Sequence, residues 1–61
     1  MLLDTKAVAA LLGVKVNTIY VYRYRDTFPP PVDVYGRSPV WEQDQIIDWA
    51  RKEGVGRYKY E

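Results

Sequence analysis

Apolar and polar positions fall into distinct rhythms along the 61 residues. In the first, Ala7-Val8-Ala9-Ala10-Leu11-Leu12 puts Val8, Leu11 and Leu12 at the i, i+3, i+4 spacing of a helical stripe. Asp4 or Thr5 suits the N-cap. Gly13 ends this helix, because glycine takes the left-handed backbone that closes a helix without strain, and apolar Val14 follows it, placed to pack back.

From Lys15 to Arg25 two rhythms overlap. Ile19-Tyr20-Val21-Tyr22-Arg23-Tyr24-Arg25 is rich in strand formers and its tyrosines alternate, so local propensity alone reads β. Read as a helix, the segment turns Ile19 and Tyr22 inward and gathers Asn17, Tyr20, Val21 and Tyr24 on the other side. The helix and glycine turn that precede it favour the second reading. Beyond it, Phe28-Pro29-Pro30-Pro31 is a stiff extended connector, Val32 to Tyr35 alternates like a short strand, and Gly36-Arg37-Ser38 reads as a turn. Val40-Trp41 forms the returning strand of a hairpin, with Pro39 tolerable because such a strand lies at an edge.

A last helix is expected from about Glu42 to Lys52. Its acids (Glu42, Asp44, Asp48) precede its bases (Arg51, Lys52), the order a helix dipole favours, and Ile46, Trp49 and Ala50 mark its buried side. Gly54-Val55-Gly56 breaks the pattern, leaving Arg57-Tyr58-Lys59-Tyr60-Glu61. The expected organisation is therefore one small α+β domain over residues 1–53 and a flexible basic and aromatic tail over residues 54–61.

Thr5 to Tyr24 follows the spacing of a helix-turn-helix. Ala9 lets two helices cross closely, Gly13 permits the turn, and Val8, Leu12, Val14, Ile19 and Tyr22 hold the second helix rigidly on the first. Lys15, Val16, Asn17, Tyr20, Val21 and Tyr24 are left pointing outward, where such a helix enters the major groove of DNA. A purely solvated helix rarely presents a valine and two tyrosines. Asn17 suits adenine, Val16 and Val21 suit thymine methyl groups, and Lys15 suits phosphate or guanine. Tyr20, Tyr24, Arg23 and Arg25 are candidate phosphate contacts, and Arg37, with Ser38 beside it, stands at the hairpin tip, where a guanidinium can enter a narrow minor groove or clamp a phosphate. The candidate DNA-contacting set is thus Lys15, Val16, Asn17, Thr18, Tyr20, Val21, Arg23, Tyr24, Arg25, Arg37 and Ser38. The bland alternative is an amphipathic helix pair in a protein-binding module. For Arg23, Arg25 and Arg37 it is ordinary surface solubility.

Net charge is only +1, so placement matters more than the total. From Lys6 to Arg37, Lys6, Lys15, Arg23, Arg25 and Arg37 outnumber Asp26 and Asp33, whereas Glu42, Asp44 and Asp48 meet no base until Arg51. One surface is expected to be basic and another acidic. Without cysteine or histidine the chain lacks a disulfide framework, the usual general base and the common zinc ligands. It also lacks a phosphate-binding loop, so no catalytic activity, metal or cofactor is expected. Asp44 and Asp48, at i, i+4, are read as dipole-favoured and solvent-exposed acids, and Phe28, Trp41, Ile46 and Trp49 as core. No apolar run approaches a membrane span and Met1-Leu2-Leu3-Asp4 lacks the features of a signal peptide. The expected location is the host cytoplasm, on DNA.

These residues resemble the MerR-like winged-helix domains of phage excisionases and related AlpA-type regulators, most closely the short excisionases of mycobacteriophages. The resemblance spans roughly Leu2 to Lys52. It rests on Leu3 to Val14, Asn17-Thr18-Ile19-Tyr20, Phe28-Pro29-Pro30-Pro31, Gly36-Arg37-Ser38 and Trp41, with Ile46 and Trp49 following at the family's spacing. It implies a helical second segment and a winged helix-turn-helix with Arg37 near the wing tip. The chain departs from the pattern at Lys15, Val16 and Asn17, where relatives carry serine and then arginines, and at Pro39-Val40, where the returning strand is usually basic. The implied function is recombination directionality: copies bind repeated attachment-site sequences, self-associate on the DNA, bend it and direct the phage integrase towards excision. A transcription regulator of the same fold shares all these features. Charge placement alone makes the acidic last helix and the tail candidates for contacts between copies or with integrase.

Overall fold

The computed structural model describes residues 1–58. A short strand β1 (Leu2–Leu3) leads into α1 (Thr5–Leu12) and α2 (Val16–Arg23). The hairpin β2 (Asp33–Tyr35) and β3 (Ser38–Glu42) follows, then α3 (Gln43–Glu53) and a 3₁₀ turn (Gly56–Tyr58). This is a small α+β fold consistent with a winged helix-turn-helix.

Local chemistry accounts for the helix ends. Asp4, in extended backbone, accepts a hydrogen bond from the Ala7 amide at 2.8 Å, so it rather than Thr5 caps α1. At the other end Gly13 sits at φ +72°, and the amides of Gly13 and Val14 donate to the carbonyls of Ala10 and Ala9. That is a Schellman closure, with Val14 half-buried against the core as its apolar contact. α3 ends the same way: Gly54 takes φ +64°, the Val55 amide donates to Ala50, and Val55 is buried.

The strand-prone segment folds as a helix, bounded by Lys15 and Tyr24 and ending two residues before Arg25. Intrinsic propensity loses here to tertiary burial. Ile19 is fully buried, and the Tyr22 ring lies 5.4 Å from Trp49. An extended chain would turn Ile19 and Tyr22 to opposite faces and forfeit one of these contacts.

The hairpin is joined by β1 into a three-stranded antiparallel sheet of order β1-β3-β2. Leu2 opposes Glu42 and Leu3 opposes Trp41, while Asp33, Val34 and Tyr35 oppose Val40, Pro39 and Ser38. The returning strand is therefore central, which corrects its expected edge position. Pro39 is tolerated for a local reason: β1 pairs only with Trp41 and Glu42, so at Pro39 the strand has a neighbour on one side alone.

The core gathers Val8, Leu12, Ile19, Trp41, Ile46 and Ala50, all fully buried, with Leu3, Ala9, Trp49 and Val55 around them. The connector is fastened to it. Phe28 packs edge-on against both Trp41 (5.7 Å) and Trp49 (4.8 Å). Trp41 Nε1 donates to the Pro29 carbonyl at 3.0 Å and Trp49 Nε1 to Thr27 Oγ1 at 3.3 Å. Both indoles thus bury their large apolar surfaces with the N–H satisfied.

Residues 54–58, the start of the expected tail, lie against the domain. Besides burying Val55, this segment brings Gly56 so close to α1 that a Cβ there would stand 2.3 Å from the Leu12 carbonyl oxygen. Arg57 Nη2 donates to the Ala10 carbonyl at 3.2 Å, a second donor to a carbonyl that also accepts from Gly13 at the end of α1. Lys59, Tyr60 and Glu61 lie outside the described residues.

Candidate nucleic-acid interface

α2 presents the outward surface expected of it, with one exception. Asn17 is exposed, as are Tyr20 (48%), Val21 (61%) and Tyr24 (90%). With ~100° of turn per residue, Asn17 is the centre of this arc, Val21 stands about 40° to one side, and Tyr24 and Tyr20 stand about 20° and 60° to the other. Val16, expected outward with them, is instead half-buried and packed on the core. It lies closer to the inward side of the helix than a face drawn from Ile19 and Tyr22 alone suggests. Thr18 is also half-buried, and Lys15 is exposed just ahead of the first turn.

The wing turns through Gly36-Arg37. Gly36 has φ +64° and Arg37 a negative φ, the sign pattern of a type II′ hairpin, which matches the twist of the two strands. Arg37 is exposed at the tip, and exposed Ser38 opens β3 beside it.

Three elements meet in a shallow cleft lined by Asp4, Thr5 and Lys6 from the start of α1, Tyr20 and Arg23 from α2, and Arg37, Ser38 and Pro39 from the wing. A smaller hollow along α2 is lined by Tyr20, Arg23 and Tyr24. Of the candidate residues the fold brings Tyr20, Arg23, Arg37 and Ser38 together in the cleft. Lys15, Asn17, Thr18, Val21 and Arg25 do not line it.

The cleft is electropositive by composition. Lys6, Arg23 and Arg37 face a single acid, Asp4, whose carboxylate already caps α1. Arg23 of α2 and Arg25 just beyond it are exposed yet anchored on rings. The Arg23 guanidinium carbon lies 5.6 Å from the Trp41 ring centroid and that of Arg25 lies 5.0 Å from Tyr22. Such anchoring reduces the rotamer freedom lost when a guanidinium meets a phosphate.

Lys6 and Thr5 line the cleft too, although the sequence reading does not single them out. A signal was present: a lysine in the first turn of a helix opposes the dipole, and no element of local stability calls for it. The acids of α3 are exposed at Asp44 and Asp48, and neither lines the two hollows. No helix among the described residues is long and apolar enough to cross a membrane.

No curated protein and no solved structure matches the chain. A family model does, over residues 1–54, and its description is Prophage CP4-57 regulatory protein (AlpA). That span takes in α1, α2, the wing and α3, the elements that build the cleft and the exposed arc, and the chain belongs to this AlpA family of small DNA-binding regulatory proteins.

Proposed function

We propose that the protein is a phage excisionase: several copies occupy repeated sites in attachment-region DNA, bend it, and direct integrase towards excision of the prophage. α2 enters the major groove with Asn17, Tyr20, Val21 and Tyr24 towards the bases and backbone. The wing carries Arg37 and Ser38 to the adjoining minor groove, and Arg23, with Lys6, holds the phosphates between them. The observation that carries this reading is the exposed apolar and aromatic arc of α2 beside a cleft lined by cations of three elements.

A module of this size buries roughly 600–1,000 Å² on DNA, too little for high specificity from one copy. Adjacent copies binding cooperatively supply the remainder. A gel-shift titration on attachment-region DNA and on a scrambled duplex of equal length, at two salt concentrations, tests it. A ladder of cooperative, slowly migrating complexes on the attachment DNA alone is expected. One discrete complex would favour a transcription regulator of the same fold, a reading supported by the word regulatory in the family's description. That regulator would change promoter activity with no integrase present. Absence of any shift at low salt would defeat both.

A further inference from the structure

We infer that α2 reads a core of A·T base pairs, Asn17 pairing with adenine and Val21 packing on a thymine methyl group one or two steps away. This rests on the DNA-binding reading above and names the bases it leaves open. The exposed arc of α2 consists of Asn17, Tyr20, Val21 and Tyr24, with neither arginine nor lysine among them. Those two side chains take up the paired acceptors on the edge of guanine, and the carboxylates that accept from cytosine are missing from the arc as well. The nearby cations stand to the sides: Lys15 precedes the helix, Arg23 rests over Trp41 in the cleft, and Arg25 rests over Tyr22. They are placed for the sugar-phosphate strands that border the groove.

Beside the two tyrosines, the arc offers an amide and an isopropyl group. The Asn17 amide is engaged by no other group among the described residues, and its donor and acceptor match the N7 and N6 edge of adenine. Val21 is 61% exposed, and thymine is the base that offers a methyl group in the major groove. Val16, the other valine suited to that contact, is half-buried against the core, which leaves the role to Val21. Residues at i and i+4 stand about 5–6 Å apart at Cβ, and base pairs rise by about 3.4 Å, so the two side chains reach neighbouring or next-neighbouring pairs.

The test selects a binding site from a randomised duplex library with the full chain. Each thymine of that site is then replaced by deoxyuridine, which lacks the methyl group, and each adenine by 7-deazaadenine, which lacks N7. Affinities are read by fluorescence anisotropy for the wild type, V21A and N17A. The selected core is expected to hold A·T pairs. Loss of one thymine methyl should weaken the wild type about fourfold, the worth of one buried carbon, and V21A should no longer sense it. N17A should bind about tenfold more weakly and ignore the 7-deaza substitution to which the wild type responds. A G·C core, a wild type indifferent to every thymine methyl, or a V21A that still senses the methyl would each overturn the inference while leaving DNA binding intact. A folded chain that enriches no duplex at low salt would instead overturn the DNA-binding reading itself.

Discussion

α2 and α3 are packed on the same core yet obey different rules. In α3 every conspicuous feature serves the helix: Asp44 in the first turn, Arg51 and Lys52 in the last, Gly54 in the left-handed conformation, and Ile46, Trp49 and Ala50 turned inward. Neither helix has a side-chain N-cap, but α2 buries only Ile19 completely and shows solvent a valine and two tyrosines. Stability accounts for the residues of α3. It does not account for the outer face of α2, and a surface that folding leaves unexplained is where external binding is to be sought.

The contrast can be broken most forcefully from the α3 side. Trp49→Ala removes the ring against which Phe28 and Tyr22 pack and leaves the Thr27 hydroxyl without its donor. A loss of about 3–5 kcal/mol is expected, enough to unfold much of so small a domain, and urea unfolding followed by circular dichroism measures it. A variant that melted like the wild type would show that α3 is not the stabilising partner.

A smaller effect separates two glycines of similar φ. Gly36 and Gly56 have φ of +64° and +59°, but a Cβ at Gly36 meets nothing whereas one at Gly56 runs into the Leu12 carbonyl. Gly36→Ala should therefore cost about 1 kcal/mol, the strain of the left-handed backbone, and Gly56→Ala roughly 2–3 kcal/mol once overpacking is added. Equal melting temperatures for the two would mean that the segment after α3 does not rest on α1.

The smallest effect on stability belongs to the cleft. Arg37→Ala and Lys6→Ala should each leave unfolding unchanged within about 0.5 kcal/mol. Each should lower the slope of log affinity against log salt by about one on duplex DNA. An unaltered slope would place that side chain off the phosphates.

How much of this was legible in the sequence depended on whether a signal was periodic or solitary. α1 and α3 announce themselves through an apolar stripe closed by glycine, and Asp4, Gly13 and Gly54 mark their ends. α2 was ambiguous because its tyrosines alternate, and what decides it, the packing of Ile19 and Tyr22 in a shared core, is a tertiary fact. β1 escaped notice, since two leucines carry no alternation to detect. Its absence from the reading is also why β3 was expected at an edge. Val55 escaped for a related reason: one apolar residue between two glycines looks like loop, although it closes the core beside the end of α1. The outward residues of α2 were legible apart from Val16. The cleft was not, because Lys6 is separated from Arg23 and Arg37 by most of the fold's first half and meets them only through the crossing of the helices.

The division of α2 into an anchored inner side and an unencumbered outer one bears on how such a protein changes its target. Positions 17, 20, 21 and 24 are exposed, so exchanging their side chains leaves Ile19 in its seat and the helix at the same angle. On the proposed reading, a new DNA sequence is matched by replacing a handful of letters on a fixed frame, with the fold left as it is.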